Sequence, residues 1–113
     1  MNHHMRITVT PNILRYWWGQ LNKQYFHSAL PVPTFKVARM DYVGLYSNDP
    51  YGIVGAGTIT VSLRVSTRGA MLATLAHEML HQLQDLQGRP MVHGRFFNVV
   101  GRRISRKLGA SIL

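Results

Sequence analysis

Residues 66–88 constrain the fold of this chain more than any other segment. Apolar residues recur there at spacings of three and four, the period of one face of an α-helix. Ser66 or Thr67 can cap the start of this helix, and Gly88 with Pro90 beyond it predicts an end near Gln87. Such a stripe is stable only when other elements cover it, so the rest of the chain must pack around this helix. The predicted core-facing residues are Leu72, Leu75, Ala76, Met79, Leu80, Leu83 and Leu86.

Two more helices are predicted, one on each side of this region, together with a strand-rich middle segment. Thr10 caps a first helix with Pro11 at its first position, and the spacing of apolar residues extends it to about residue 30. A last helix is predicted from residue 93 or 94 to residue 107. In the middle, residues 35–40 and 58–63 alternate as half-buried strands do, and 42–46 is predicted to pair with the first of them. The expected fold is α+β, with a small, mainly antiparallel three-stranded sheet.

The composition is that of one basic domain without thiols. At 113 residues the chain has the size of a single domain, so residues 1–113 are taken as one unit. The absence of cysteine excludes a disulfide scaffold, a thiolate metal site and a cysteine nucleophile. No apolar run approaches the roughly 18 residues that span a bilayer, and no signal-peptide core is evident, so a cytoplasmic protein without membrane association is expected. Thirteen Lys and Arg against four acids give a net charge of +9, which favours nucleic acid as a partner.

The long helix contains an H-E-x-x-H pattern, His77-Glu78-Met79-Leu80-His81. Histidines at positions i and i+4 lie one turn apart on one helix face, so both imidazoles can reach one metal ion. They fall on the arc opposite the apolar stripe, which argues against a role as core residues. Glu78 sits beside this face, where a carboxylate serves as general base toward a metal-activated water.

A catalytic zinc usually has a third protein ligand, and the remaining histidines and aspartates compete for this role. His93 is favoured because the turn at Gly88–Pro90 lets the chain fold back toward the long helix. It also starts the last helix on the side of Phe97, which must pack inward. The other candidates are His3, His4, His27, Asp41, Asp49 and Asp85.

These motifs resemble those of the SprT-like (Spartan-type) zinc metallopeptidase domains. The resemblance rests on Leu21-Asn22 and Tyr25-Phe26 in the first helix, and on the stretch from Thr74 to His81. It rests also on His93-Gly94-Arg95-Phe96-Phe97, which is similar to the family's His-Gly-x-x-Phe, and it covers residues 12–108. A glycine commonly precedes the third histidine in the family, whereas Val92 stands there in this chain.

The resemblance implies a zincin-like minimal metallopeptidase domain with one zinc ion held by His77, His81 and His93. It implies a zinc-dependent endopeptidase in which Glu78 is the catalytic acid/base, acting on DNA-associated or DNA-crosslinked proteins. We expect a monomer that acts on a protein substrate. The residues that stabilise the oxyanion stay open among Tyr42, Tyr46, Tyr51 and Arg95.

The last helix carries a second functional pattern. Four arginines lie within an arc of about 100° opposite its apolar stripe, and this arc contains no acid, so we predict contacts with the phosphates of DNA without base specificity. The alternative hypothesis is a basic nucleic-acid-binding module with a structural or vestigial zinc site, and a weaker one is a hydrolase of a non-peptide bond. A structural site would not need Glu78 and would usually bring a fourth protein ligand. The four arginines are Arg95, Arg102, Arg103 and Arg106.

Overall fold

The computed structural model describes residues 3–113 and has an α+β fold, as predicted. Within those residues the helices are α1 (Pro11–Tyr25), α2 (Arg68–Leu86) and α3 (Arg95–Leu108). The strands are β1 (Thr34–Ala38), β2 (Gly44–Ser47) and β3 (Thr58–Ser62). In the same part of the chain, no helix is both long and apolar enough to cross a membrane.

Helix α2 lies at the centre of the fold and packs against α1, α3, β2 and β3. Its cap is Thr67, whose side-chain oxygen accepts a hydrogen bond from the backbone N–H of Ala70, which confirms one of the two predicted caps. The predicted stripe is confirmed at its centre, where Leu72, Leu75, Ala76, Met79 and Leu80 have no exposed surface. Polar residues on other faces of α2 are buried too, so the neighbouring elements cover more of this helix than its apolar arc.

The sheet is mixed, so the prediction of a mainly antiparallel three-stranded sheet is wrong. The strand order is β1-β3-β2, with β1 parallel and β2 antiparallel to β3, so β1 and β2 do not pair with each other. Ile59 and Val61 of β3 are fully buried, and β3, the most buried of the three strands, takes the central position. The connection from β1 to β2 crosses the end of β3, where Ser62 N–H donates to the Val43 carbonyl and Leu63 N–H to that of Ala38.

Helix α1 begins as predicted but ends five residues early, at Tyr25. Its cap Thr10 accepts a hydrogen bond from the Ile13 N–H. The helix ends because His27 and Ser28 adopt positive φ angles of 55° and 58°, which redirect the chain. The Asn22 side chain then holds the returning segment by bonding both the N–H and the carbonyl of Leu30.

Helix α3 presents its apolar stripe to the core, with Phe97, Ile104 and Leu108 buried, as predicted. It begins at Arg95, so His93 lies in the preceding loop and not in the first turn of the helix. Gly109, with a φ of 78°, ends the helix in the left-handed conformation that favours glycine. The chain after Gly109 turns back, and this return brings Ile112 into the core with 2% of its surface exposed.

Candidate metal centre

Three histidines converge beside the C-terminal half of α2. His77 and His81 lie one turn apart on the helix, and the loop between α2 and α3 brings His93 to them. The Nε2 atom of His93 is 3.0 Å from that of His81 and 3.2 Å from that of His77. Among residues 3–113 these three form the one cluster of histidine and acid side chains close enough to hold a metal ion. His93 is thereby selected from the third-ligand candidates that the sequence left open.

A buried glutamine determines which ring nitrogen of His81 carries the proton. The amide nitrogen of Gln84 donates to the Val92 carbonyl at 2.9 Å, so its Oε1 must face the His81 Nδ1, 2.8 Å away. An amide oxygen only accepts, hence Nδ1 of His81 carries the proton and Nε2 keeps its lone pair. Gln84 is 2% exposed, and by holding Val92 it also fixes the residue that precedes His93.

The protonation of His77 is fixed by the chain beyond α3. Its Nδ1 donates to the backbone carbonyl of Ile112, which again leaves Nε2 as a lone-pair donor. A second partner of this kind on each ligating imidazole sets its tautomer and ring orientation. Neither Gln84 nor Ile112 was among the predicted site residues. The i, i+3 spacing of His81 and Gln84 on one helix is a signal that could have identified Gln84, but no sequence pattern connects Ile112 to His77.

A phenylalanine forms the floor of the cluster. The Phe97 ring lies within 4.9 Å of the centroids of all three imidazoles, stacked on His81 and edge-on to His77 and His93. Phe97 is 1% exposed, so it places the cluster against the core and closes the site on that side. The phenylalanine of the His-Gly-x-x-Phe stretch therefore packs beneath all three histidines.

The surroundings of His77 and His81 favour the neutral form of both imidazoles. Burial lowers the pKa of His77 and of His81, since it disfavours the imidazolium form. The accepting groups of Ile112 and Gln84 oppose this effect, and the neighbouring imidazoles add to it. Only a neutral imidazole can bind a metal ion, so the environment favours the ligating form.

The donor set fits a divalent transition metal. Lone pairs directed at one point repel each other unless a cation or a proton lies between them. Two nitrogens bound to one tetrahedral zinc at about 2.0–2.1 Å are about 3.3–3.4 Å apart, close to the separations of the Nε2 atoms here. Imidazole nitrogen suits zinc, copper, iron and nickel, so the three histidines lie close enough to bind a metal ion and leave the element open.

Glu78 lies beside this cluster and is almost completely buried, with 5% of its surface exposed. Burial raises the pKa of Glu78 to about 7, and a hydrogen bond from the backbone of Tyr46 opposes the rise. Strand β2 can approach α2 closely beside Glu78 because Gly44 has no side chain. A carbon added there would lie 2.6 Å from Thr74 Cγ2 and 3.0 Å from Glu78 Oε2.

A cleft of about 570 Å³ opens over the histidines and Glu78. Its walls are residues 42–46 on one side, and Ala73, Thr74, Met91 and residues 111–113 on the others. Most of these residues are apolar, and the three histidines and Glu78 are grouped together within this lining.

The positions of the four candidate oxyanion donors differ with respect to the cleft. The Tyr46 hydroxyl donates to Asp85 at 2.6 Å and accepts from the Gly57 N–H, so it is engaged in the fold. Burial and the Asp85 carboxylate raise the pKa of this phenol. Tyr51 is 98% exposed and does not line the cleft, and neither does Arg95. Tyr42 lines it, which leaves Tyr42 as the remaining candidate of the four.

The remaining predicted residues lie outside the centre. The four arginines of α3 are all exposed. His27 is exposed at the end of α1, and His3 bonds the Leu108 carbonyl, so neither joins the cluster. The chain matches no protein-family model, and no curated protein is significantly similar to it.

Proposed function

We propose that this protein is a zinc-dependent endopeptidase of the SprT-like type, with His77, His81 and His93 as metal ligands and Glu78 as general base. The observation that carries the proposal is the convergence of three Nε2 atoms, separated by 3.0 and 3.2 Å, beside a buried carboxylate in one cleft. Three imidazoles leave one coordination position free, which is the composition of catalytic and not of structural zinc sites. The position of Glu78 favours the peptidase over a binding module with a structural site.

Zinc is the metal we infer from the donor set. Three imidazole nitrogen donors and no thiolate match known catalytic zinc sites, and tetrahedral coordination is compatible with the nitrogen separations of 3.0 and 3.2 Å. When bound, a zinc ion supplies Lewis-acid chemistry, which lowers the pKa of a water molecule and polarises a carbonyl.

The chain's own residues account for the proton transfers. With a pKa near 7, the Glu78 carboxylate accepts a proton from water at neutral pH and can return it. In the hydrolysis, the oxygen of water joins the carbonyl carbon, the C–N bond breaks, and Glu78 passes the proton to the leaving amine nitrogen. Strand β2 lines the cleft at an edge of the sheet, so an extended polypeptide can lie alongside it.

One set of variants tests this function. We expect wild-type protein to bind one zinc per chain and to cleave casein or itself. His77→Ala and His81→Ala should lose zinc, whereas His27→Ala, at an exposed histidine outside the cluster, should keep it. Glu78→Gln should keep zinc and lose activity by about 10²–10⁴-fold, because an amide cannot accept the proton. Equal zinc content in all variants, or full activity of Glu78→Gln, would exclude the proposal.

We also propose non-specific DNA binding by α3. The supporting observation is that Arg95, Arg102, Arg103 and Arg106 are all exposed on a helix without a single acid. Exposed arginines bind phosphates without reading base sequence. Such binding would hold the peptidase near DNA-associated or DNA-crosslinked proteins, the substrates implied by the family resemblance.

A further inference from the structure

The segment that follows α3 makes a direct contact with the metal centre. After Gly109 the chain turns back, and the Ile112 carbonyl accepts the hydrogen bond from His77 Nδ1. Residues 111–113 also line the cleft that contains His77 and Glu78. The segment therefore contacts the proposed ligand His77 at Nδ1 and also lines the cleft in which we propose that hydrolysis takes place.

Several contacts fix the position of the Ile112 carbonyl. The Ile112 side chain is 2% exposed, and its N–H donates to the Ser105 hydroxyl at 3.0 Å. That hydroxyl donates in turn to the Gly101 carbonyl at 2.7 Å, so Ser105 links the segment to the α3 backbone. The Leu113 side chain packs where α3 has no side chain, since a carbon added at Gly101 would lie 2.6 Å from Leu113 Cδ2.

We propose that residues 110–113 are a positioning element of the metal centre, in which the docked Ile112 carbonyl holds His77 in its ligating tautomer and orientation. This inference rests on the proposed metal site. A free neutral imidazole can carry its proton on either nitrogen, and one of these tautomers cannot bind the metal through Nε2. Docking of the segment therefore favours metal binding, and by linkage metal binding favours docking to the same extent.

The first test measures zinc affinity by competition with a chromophoric chelator. Ser105→Ala frees the Ile112 N–H, and Ile112→Ala removes the buried anchor, so both should weaken zinc binding by about 10-fold or more, within the range for partners of metal ligands. Ser105→Thr keeps the hydroxyl and should bind as the wild type does. None of these changes alters an atom of a proposed ligand.

Two control variants separate positioning from general destabilisation. Ser111→Ala removes a hydroxyl of the same segment whose hydrogen bond is to the Leu113 N–H and which does not anchor Ile112, so it should leave zinc affinity unchanged. Leu30→Ala truncates a comparably buried side chain that does not line the cleft, so it should lower the stability of the fold without weakening zinc binding selectively.

The second test measures the reverse effect by hydrogen exchange. Zinc should slow exchange of the Ile112 amide in the wild type, and it should do so less in Ser105→Ala. Wild-type zinc affinity in both Ser105→Ala and Ile112→Ala would overturn this inference while leaving the metal site intact. A wild type that binds no zinc would overturn both. If zinc binds and the variants weaken it but no peptide is cleaved, the positioning role stands and the peptidase proposal fails.

Discussion

The carboxylate of Glu78 lies against the backbone of Gly44, with Oε2 3.0 Å from the point where a side chain of Gly44 would begin. This contact joins β2 to α2 at the proposed catalytic residue. It contributes to the burial of the carboxylate, and burial is the main reason why the pKa of Glu78 is raised to about 7. The sheet therefore helps to set the acid–base properties of the helix residue that it covers.

Gly44→Ala should disturb this contact. The added methyl group would meet Thr74 Cγ2 at 2.6 Å and Glu78 Oε2 at 3.0 Å, so β2 or Glu78 must move. We expect a loss of about 1–3 kcal/mol in the free energy of unfolding, as for other overpacked cores, together with reduced peptidase activity. Urea denaturation and a casein assay measure the two effects.

Gly19→Ala is the matched control. Gly19 lies within α1, and nothing stands within 4 Å of the position of an added carbon. The change should stabilise the protein by about 0.5–1 kcal/mol, because alanine favours a helix over glycine. Equal stability of the two variants would show that the approach of β2 to α2 is not as close as described.

Local signals explain which parts of the fold were predictable. The caps of α1 and α2 depend on Thr10 and Thr67, whose side chains bond to a backbone N–H three residues ahead. The order of the strands depends instead on which segment can be buried on both sides, and that competition involves residues far apart in sequence. Alternation indicated β3 correctly, but it contained no information about a parallel partner.

The candidate metal centre was likewise predictable where local signals define it and unpredictable where distant parts of the chain meet. The proximity of His77 and His81 follows from helix periodicity, since four residues make about one turn. His93 needed the further argument that the chain folds back after Gly88. The contact of the Ile112 carbonyl with His77 could not be predicted, because a backbone group has no signature in the sequence. Its position depends on how residues 110–113 pack against the rest of the fold.

The stability of the metal-free protein should depend on pH through Glu78. Its pKa rises from 4.5 to about 7 on folding, so the folded state favours the protonated form. The contribution of Glu78 to the free energy of unfolding is fully present below about pH 4.5 and is lost as the pH rises through 7. Glu78→Gln removes the dependence, so its stability relative to the wild type should increase by as much as about 3 kcal/mol between pH 4.5 and pH 8.

Urea denaturation of both proteins with a chelator present, at several pH values, measures this difference. His77 and His81 are common to both proteins, so their own titration largely cancels in the comparison. A difference that stays constant with pH would contradict the burial of Glu78 as the cause of its raised pKa.

Gln84→Met should weaken metal binding while preserving the shape of the side chain. The thioether neither fixes the tautomer of His81 nor donates to Val92, so both the helical ligand and the loop before His93 lose a constraint. Removal of such a partner typically lowers metal affinity by 10–100-fold, which chelator competition can measure.

Gln87→Met serves as the control, because Gln87 is exposed and its side chain bonds only Arg89. Zinc affinity should remain at the wild-type value in this variant. If Gln84→Met also retained that value, the glutamine would have a role in packing but not in the metal centre.

Replacement of Arg102, Arg103 and Arg106 by Gln should reduce the salt dependence of DNA binding. Each phosphate contact contributes about 0.7 to 0.9 to the slope of log affinity against log salt, the smaller value for single strands. The triple variant should therefore flatten this slope by roughly two to three units, while its zinc content remains at one per chain. Titration of labelled single- and double-stranded DNA at several salt concentrations gives the slope.

A second triple variant of equal charge distinguishes a binding surface from the overall positive charge of the protein. Lys23, Lys36 and Arg39 are exposed and lie outside α3, and their replacement by Gln lowers the net charge of +9 by the same three units. If phosphates bind along α3, this control should keep most of the wild-type slope, because contacts and not net charge release the counterions. Equal slopes in the two triple variants would place the interaction in the diffuse field of the whole molecule and would remove α3 as the DNA-binding surface.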